Sequence, residues 1–296
     1  MMVATTSAAM DREVYDQEHE AVRESFRSFL NRAVIPKHAE WEEAGSVPRR
    51  LWNEAGENGY LCTVVSEAYG GPELKDFRYE AVMIEEASYA GLSGLGFFLH
   101  SAIVAPYLLS YGTEEQKLRW LPKMVTGEAV TAIAMTEPNT GSDLAGIQTS
   151  ARREGDSYLL NGQKTFITNG LLSDLVIVAA RTDPAGGHHG LSLFVVDTSS
   201  PGLERRALKK IGMHAQDTAE IFLSDVRVPA TDLLGDEGSG FHYLVSNLPQ
   251  ERMIIALGAV AGMRACLDLT RTTVPRGPRS ADRSGLSRTL DSGSRK

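Results

Sequence analysis

Ala134-Met-Thr-Glu-Pro-Asn-Thr-Gly-Ser-Asp143 is the stretch on which the fold turns, because an apolar run stops there and a polar, glycine-bearing loop begins. Gly141 lets the backbone approach a ligand closely, while Thr136 and Ser142 add hydroxyls and free amides. Alone, the segment reads equally well as a polar turn closing a strand. Further on, Lys164-Thr-Phe-Ile-Thr-Asn-Gly170 sets Phe166 and Thr168 two residues apart, hence on one face of a strand. An aromatic beside a hydroxyl can carry a planar ring, although a lone Phe of this kind is more often an ordinary core residue.

The pattern around these two segments is short-period. Val130 to Met135, Tyr158 to Leu160, Leu175 to Ala179, Leu191 to Val196 and Glu220 to Leu223 are apolar or β-branched runs separated by Gly, Pro, Asp and Asn. Asn161-Gly162 reads as a hairpin turn. These runs predict a β domain over 128–236. Before it, over 11–127, the period is helical: Val14, Ala21, Val22, Ser25, Phe26, Phe29 and Leu30 recur at three- and four-residue steps. Pro36 is expected to end or kink that helix. Another segment starts near Val47-Pro48, and Thr113 looks like an N-cap before an acidic first turn. After the β domain, 237–271 predicts one helix so apolar from Met253 to Met263 that it should be buried on most sides. Residues 1–10 and 272–296 are expected to be disordered. The second of these is rich in Arg, Ser, Gly and Pro, and its abrupt onset suggests an altered reading frame or a truncation. The fold class expected is α+β.

The 296 residues, 42% hydrophobic and 23% charged with a net charge of −8, suit a soluble globular protein and give nucleic acid no basic stripe. Cys62 and Cys266 lack metal-ligand spacing and read as reduced structural thiols. No histidine pair is spaced for a metal, so none is expected. No uninterrupted apolar run reaches span length and no secretion signal is legible, which points to the cytoplasm without a membrane span. Tyr107, Tyr111, Trp120 and the histidines are expected to serve packing or the surface.

In this order, the two quoted segments resemble the acyl-CoA dehydrogenase family. Ile211-Gly-Met213, Ala215 to Glu220, Phe222 to Pro229 and Leu233-Leu-Gly235 extend the resemblance over about Asp11 to Arg271. It implies a helical N-terminal domain, a β-barrel-like middle domain and a four-helix C-terminal domain, of which this chain would hold the first helix. It also implies FAD between the last two domains. Ile133, Met135, Thr136, Gly141 and Ser142 would hold the flavin, with Phe166, Ile167 and Thr168 covering its ring. Leu248-Pro-Gln-Glu-Arg252 is most similar to the long-chain branch, which shares with the isovaleryl branch a base placed immediately before an arginine. That assigns Glu251 as catalytic base and Ser142, His242, Pro249, Gln250 and Arg252 to the acyl-CoA. The null alternative for Glu251 is an acidic residue favoured by a helix N-terminus. The implied activity is oxidation of an acyl-CoA to the trans-2-enoyl-CoA in fatty-acid β-oxidation, with electron-transfer flavoprotein as acceptor and a homo-oligomeric state in the family. The alternative reading is a non-catalytic remnant that binds acyl-CoA or a partner.

Overall fold

The computed structural model describes residues 14–273. The disorder expected for 1–10, and for all of the tail but Thr272 and Thr273, lies outside the described residues; those two continue the final helix.

The N-terminal part is helical. α1 (Gln17–Phe29) buries Phe26 and Phe29 and then widens into a π turn over Leu30–Val34 and a 3-10 turn over Ile35–Lys37. Pro36 lies in that turn, where its missing N–H breaks the regular ladder. α2 (His38–Ala44), α3 (Arg49–Glu57) and α4 (Arg78–Tyr89) follow. α5 (Phe97–Leu99) passes through a π turn at His100–Val104 into α6 (Ala105–Tyr111), and α7 (Glu114–Val125) completes the set. Thr113 caps α7 reciprocally: its hydroxyl accepts from Gln116 N at 3.2 Å, and Gln116 Oε1 accepts from Thr113 N at 3.0 Å.

Among the described residues eight strands then form one sheet: β1 (Thr131–Ala134), β2 (Ser150–Glu154), β3 (Ser157–Thr168), β4 (Leu175–Arg181), β5 (Leu191–Asp197), β6 (Leu203–Ala207), β7 (Thr218–Pro229) and β8 (Leu233–Leu234). Their order is β6-β7-β3-β2-β4-β5-β8, with β1 parallel to β4. The sheet has free edges at β6 and β8, so it does not close into a barrel. β1, β4 and β5 are continuous apolar runs because both of their faces are covered. Ile133, Leu175, Ile177, Leu193 and Val195 pack with the helices, while Ala132, Val176, Val178, Phe194 and Val196 pack with β3 and β7.

Asn161-Gly162 is not a hairpin turn. It lies inside β3, where the pairing with β7 slips between Leu160 and Gly162, and the turn into β3 is Gly155-Asp156. Gly162 adopts φ +155°, and a Cβ there would lie 2.4 Å from Thr149 Oγ1. The glycine therefore serves a bulge.

α8 (Gly240–Thr273) crosses back over the helical part. It packs along α4: Gly258 approaches Ser88, and Tyr89 donates to Asp268 at 3.1 Å. Burial on most sides does not occur. Only Gly240, Tyr243, Leu244, Ile254 and Ala261 are buried, and Met253, Ile255, Met263 and Leu269 are exposed, because essentially one side of α8 meets neighbours among the described residues. By length and composition α8 could also cross a membrane, with a mean hydropathy of 1.6 over its apolar window, 11% of which is buried. Arg264 and Asp268 interrupt the apolar run, which is why a criterion of unbroken length passes it over. Both cysteines are free; Cys62 is buried but Cys266 is exposed, so only the first fits a structural thiol.

Candidate active site

Two turns of α8 and one of α6 bring the acidic candidate into place. Glu251 is half-buried, and its Oε1 accepts from Tyr107 Oη at 2.9 Å. Burial raises its carboxyl above the usual range, opposed by the Tyr107 hydrogen bond and the charge of Arg252. Tyr107, expected to be a packing residue, is thus a fully buried partner of the candidate base. Sequence spacing could not have paired residues on helices so far apart in the chain. Gln250 is held beside it, its Nε2 donating to Ala102 O at 2.7 Å. Pro249, Arg252 and His242 are exposed on the same helix. Below them Tyr243 stacks on Tyr111 at 3.9 Å between ring centroids, which fixes the start of α8 against α6.

The second half of the site is the pair of segments quoted at the outset. Lys164 is buried in β3, and its Nζ donates to Glu137 Oε1 at 2.8 Å and to Met135 O at 3.1 Å. Glu137 also accepts from Gln148 N and Thr149 N, so the whole 135–149 loop is tied to one carboxylate. Burial pulls the Lys164 ammonium down to about 8, against the pull of Glu137. Neither residue had been assigned a role, although each lies in one of the two segments. The sequence offered little signal for the pair, since Glu137 stands between Thr136 and Pro138 and Lys164 between Gln163 and Thr165.

Above this anchor the loop stays open. Met135 and Thr136 are half-buried, Gly141 and Ser142 are exposed, and a Cβ on Gly141 would meet nothing within 4 Å. No packing inside the chain demands glycine there, which leaves the loop free to accept a ligand. Phe166 is 69% exposed and held at φ +58° by a second slip of β3 against β7, between Lys164 and Ile167. A bulky residue in the left-handed region is strained. Thr168, two residues on, is half-buried. Ile167 and Ile133 are different: their side chains are buried in the two cores. Behind Thr168 the Asn169 amide donates to Gly96 O and Thr131 O, both at 3.1 Å, which locks the strand end to the helical part. An open loop, an exposed aromatic and a hydroxyl on one sheet margin fit a large planar group. Among the described residues no cluster of three or more metal-ligating side chains occurs.

A third buried group lies close by. Glu80, on α4, is 4% exposed; its Oε1 accepts from Thr63 Oγ1 at 2.8 Å, and its Oε2 has no partner among the described residues. Burial pushes its carboxyl up to about 7, the Thr63 bonds opposing. The folded state therefore holds a proton that the unfolded chain releases near pH 4.5, and stability falls as pH rises from there to about 7, by about 3 kcal/mol. Urea unfolding across that window should show the fall in the native protein and a much flatter profile in Glu80→Gln. Parallel profiles would show that Glu80 is ionised throughout.

A helical part, an open sheet and a returning helix that carries a half-buried acid together define a class. The chain belongs to the acyl-CoA dehydrogenase family: residues 16–128 match its N-terminal domain and residues 132–226 its middle domain. It is 48% identical over 266 residues to the mitochondrial long-chain specific acyl-CoA dehydrogenase of Sus scrofa, covering 89% of this chain. The crystal structure of an acyl-CoA dehydrogenase from Geobacillus kaustophilus superposes with a TM-score of 0.88 at 48% identity, covering 95% of this chain and 74% of that one. A glutaryl-CoA dehydrogenase from Mycobacterium smegmatis, in complex with FADH2, superposes with a TM-score of 0.78 at 30% identity, covering 87% of this chain and 65% of that one. This chain spans 62% of the length of the Sus scrofa relative.

Proposed function

We propose that this chain performs the α,β-dehydrogenation of an acyl-CoA thioester, with FAD as cofactor and a long-chain acyl group as substrate. The observation that carries the reading is the half-buried Glu251 carboxylate, raised by burial and oriented by Tyr107, on the apolar helix α8. A carboxylate in water is too weak a base for a carbon acid, and desolvation brings it towards the working pH. Glu251 takes the α-proton at a carboxylate oxygen while Tyr107 fixes that oxygen's direction. Phe166 and Thr168 would hold the flavin ring, together with the backbone of Ile133, Met135, Thr136, Gly141, Ser142 and Ile167. When bound, the flavin accepts the hydride that leaves the β-carbon. Ser142, His242, Pro249, Gln250 and Arg252 contact the acyl-CoA, with Arg252 suited to its anionic groups. Electron-transfer flavoprotein is the proposed acceptor from the reduced cofactor.

Purified protein should be yellow and should bleach anaerobically on addition of a long-chain acyl-CoA. Colourless protein that still binds acyl-CoA would favour a non-catalytic binding role. Tyr107→Phe removes a hydrogen bond that holds the Glu251 pKa down. The acid limb of the bleaching rate, where the base becomes protonated as pH falls, should therefore move to higher pH. An unmoved limb would show that Tyr107 does not act on the base.

A further inference from the structure

One of the cavities among the described residues lies outside both Glu251 and the flavin platform. It holds about 250 Å3 and lies between α4, α6, the turn that precedes α6 and the 63–77 segment. Leu74, Phe77, Pro106 and Leu109 give it apolar walls, and Gln250 closes one side. Two of its lining residues, Gln250 and Pro106, are the chain neighbours of Glu251 and of its donor Tyr107. Yet its wall also carries the Glu80 carboxyl, 96% removed from solvent, with one oxygen bonded to Thr63 and the other without a partner among the described residues.

That combination is costly unless something completes it. An unpartnered carboxyl oxygen away from water loses a hydrogen bond that any hydroxyl could restore. A simple hydrocarbon end would leave Oε2 unsatisfied, whereas a terminal hydroxyl can both donate to it and accept from its proton.

We propose that Glu80 makes this cavity the far end of the acyl site and selects thioesters whose chain terminus bears a hydroxyl group over those ending in methyl. The assignment rests on the acyl-CoA reading above. Glu80 acts by binding, remote from the reacting carbons, and the Thr63 hydroxyl fixes which of its oxygens faces the ligand. The apolar walls hold the preceding methylenes, so preference must depend on chain length: the hydroxyl meets Oε2 only when the chain reaches it.

The test uses the full 296-residue protein and a ladder of even-numbered saturated acyl-CoAs, each paired with its ω-hydroxy counterpart, with dissociation constants from calorimetry. The hydroxylated member should bind about tenfold tighter than the plain one at one chain length and lose that advantage at shorter lengths, as one net hydrogen bond to a polar site allows. Glu80→Leu should reverse the preference, and Glu80→Gln, which keeps a donor and an acceptor, should retain most of it. A ratio near one at every length in the native protein overturns the proposal whether or not either variant folds, and shows that only water completes Glu80. Binding of no acyl-CoA at all would overturn the parent reading along with it, an outcome distinct from equal binding of both series.

Discussion

Glu251→Gln is expected to leave the protein folded and yellow while slowing anaerobic bleaching by acyl-CoA by about 10²- to 10⁴-fold, the usual worth of a positioned general base. Glutamine fills the same volume, and its amide oxygen can still accept from Tyr107, whose hydroxyl lies 2.9 Å from Glu251 Oε1. What disappears is the proton acceptor alone. Stopped-flow absorbance reads the result directly, since flavin content and bleaching rate come from the same trace. Retention of native bleaching in this variant would remove Glu251 from the mechanism, and loss of the yellow colour would assign it to cofactor retention instead. Tyr107→Phe discriminates further, because it should move a pH limb without abolishing the reaction.

Lys164→Met should destabilise the fold by about 3–5 kcal/mol, the cost of stranding a buried charge. Glu137 would keep its bonds from Gln148 N and Thr149 N but lose the ammonium 2.8 Å away. The same carboxylate organises the 135–149 loop, so flavin retention should fall together with stability. The Lys164→Met, Glu137→Gln double variant should recover a large part of the loss, since it removes the stranded charge. Urea unfolding of the two single variants and the double variant closes the cycle. Additive losses would show that the two residues do not act as a pair.

Much of the fold was legible because burial periodicity is local. The α1 period, the Thr113 cap and the five apolar runs that became β1, β3, β4, β5 and β7 each depend on residues a few positions apart. β2 and β6 were not legible: their exposed, charged residues Arg152, Arg153, Glu204 and Arg206 carry no apolar alternation, and only pairing with β3 and β7 makes them strands. Asn161-Gly162 misled for a related reason. The same glycine that permits a tight turn also permits a bulge, and whether β3 continues past it is decided by β7 alongside.

The sequence by itself determined the succession of helical and sheet parts and the family, since each is written in neighbouring residues. Tertiary structure alone decided that Tyr107 meets Glu251, that Lys164 neutralises Glu137 and that Glu80 is buried with an idle oxygen. Those facts rest on partners distant in the chain, and the free energy of a buried charge depends on what packing places within a few ångströms of it.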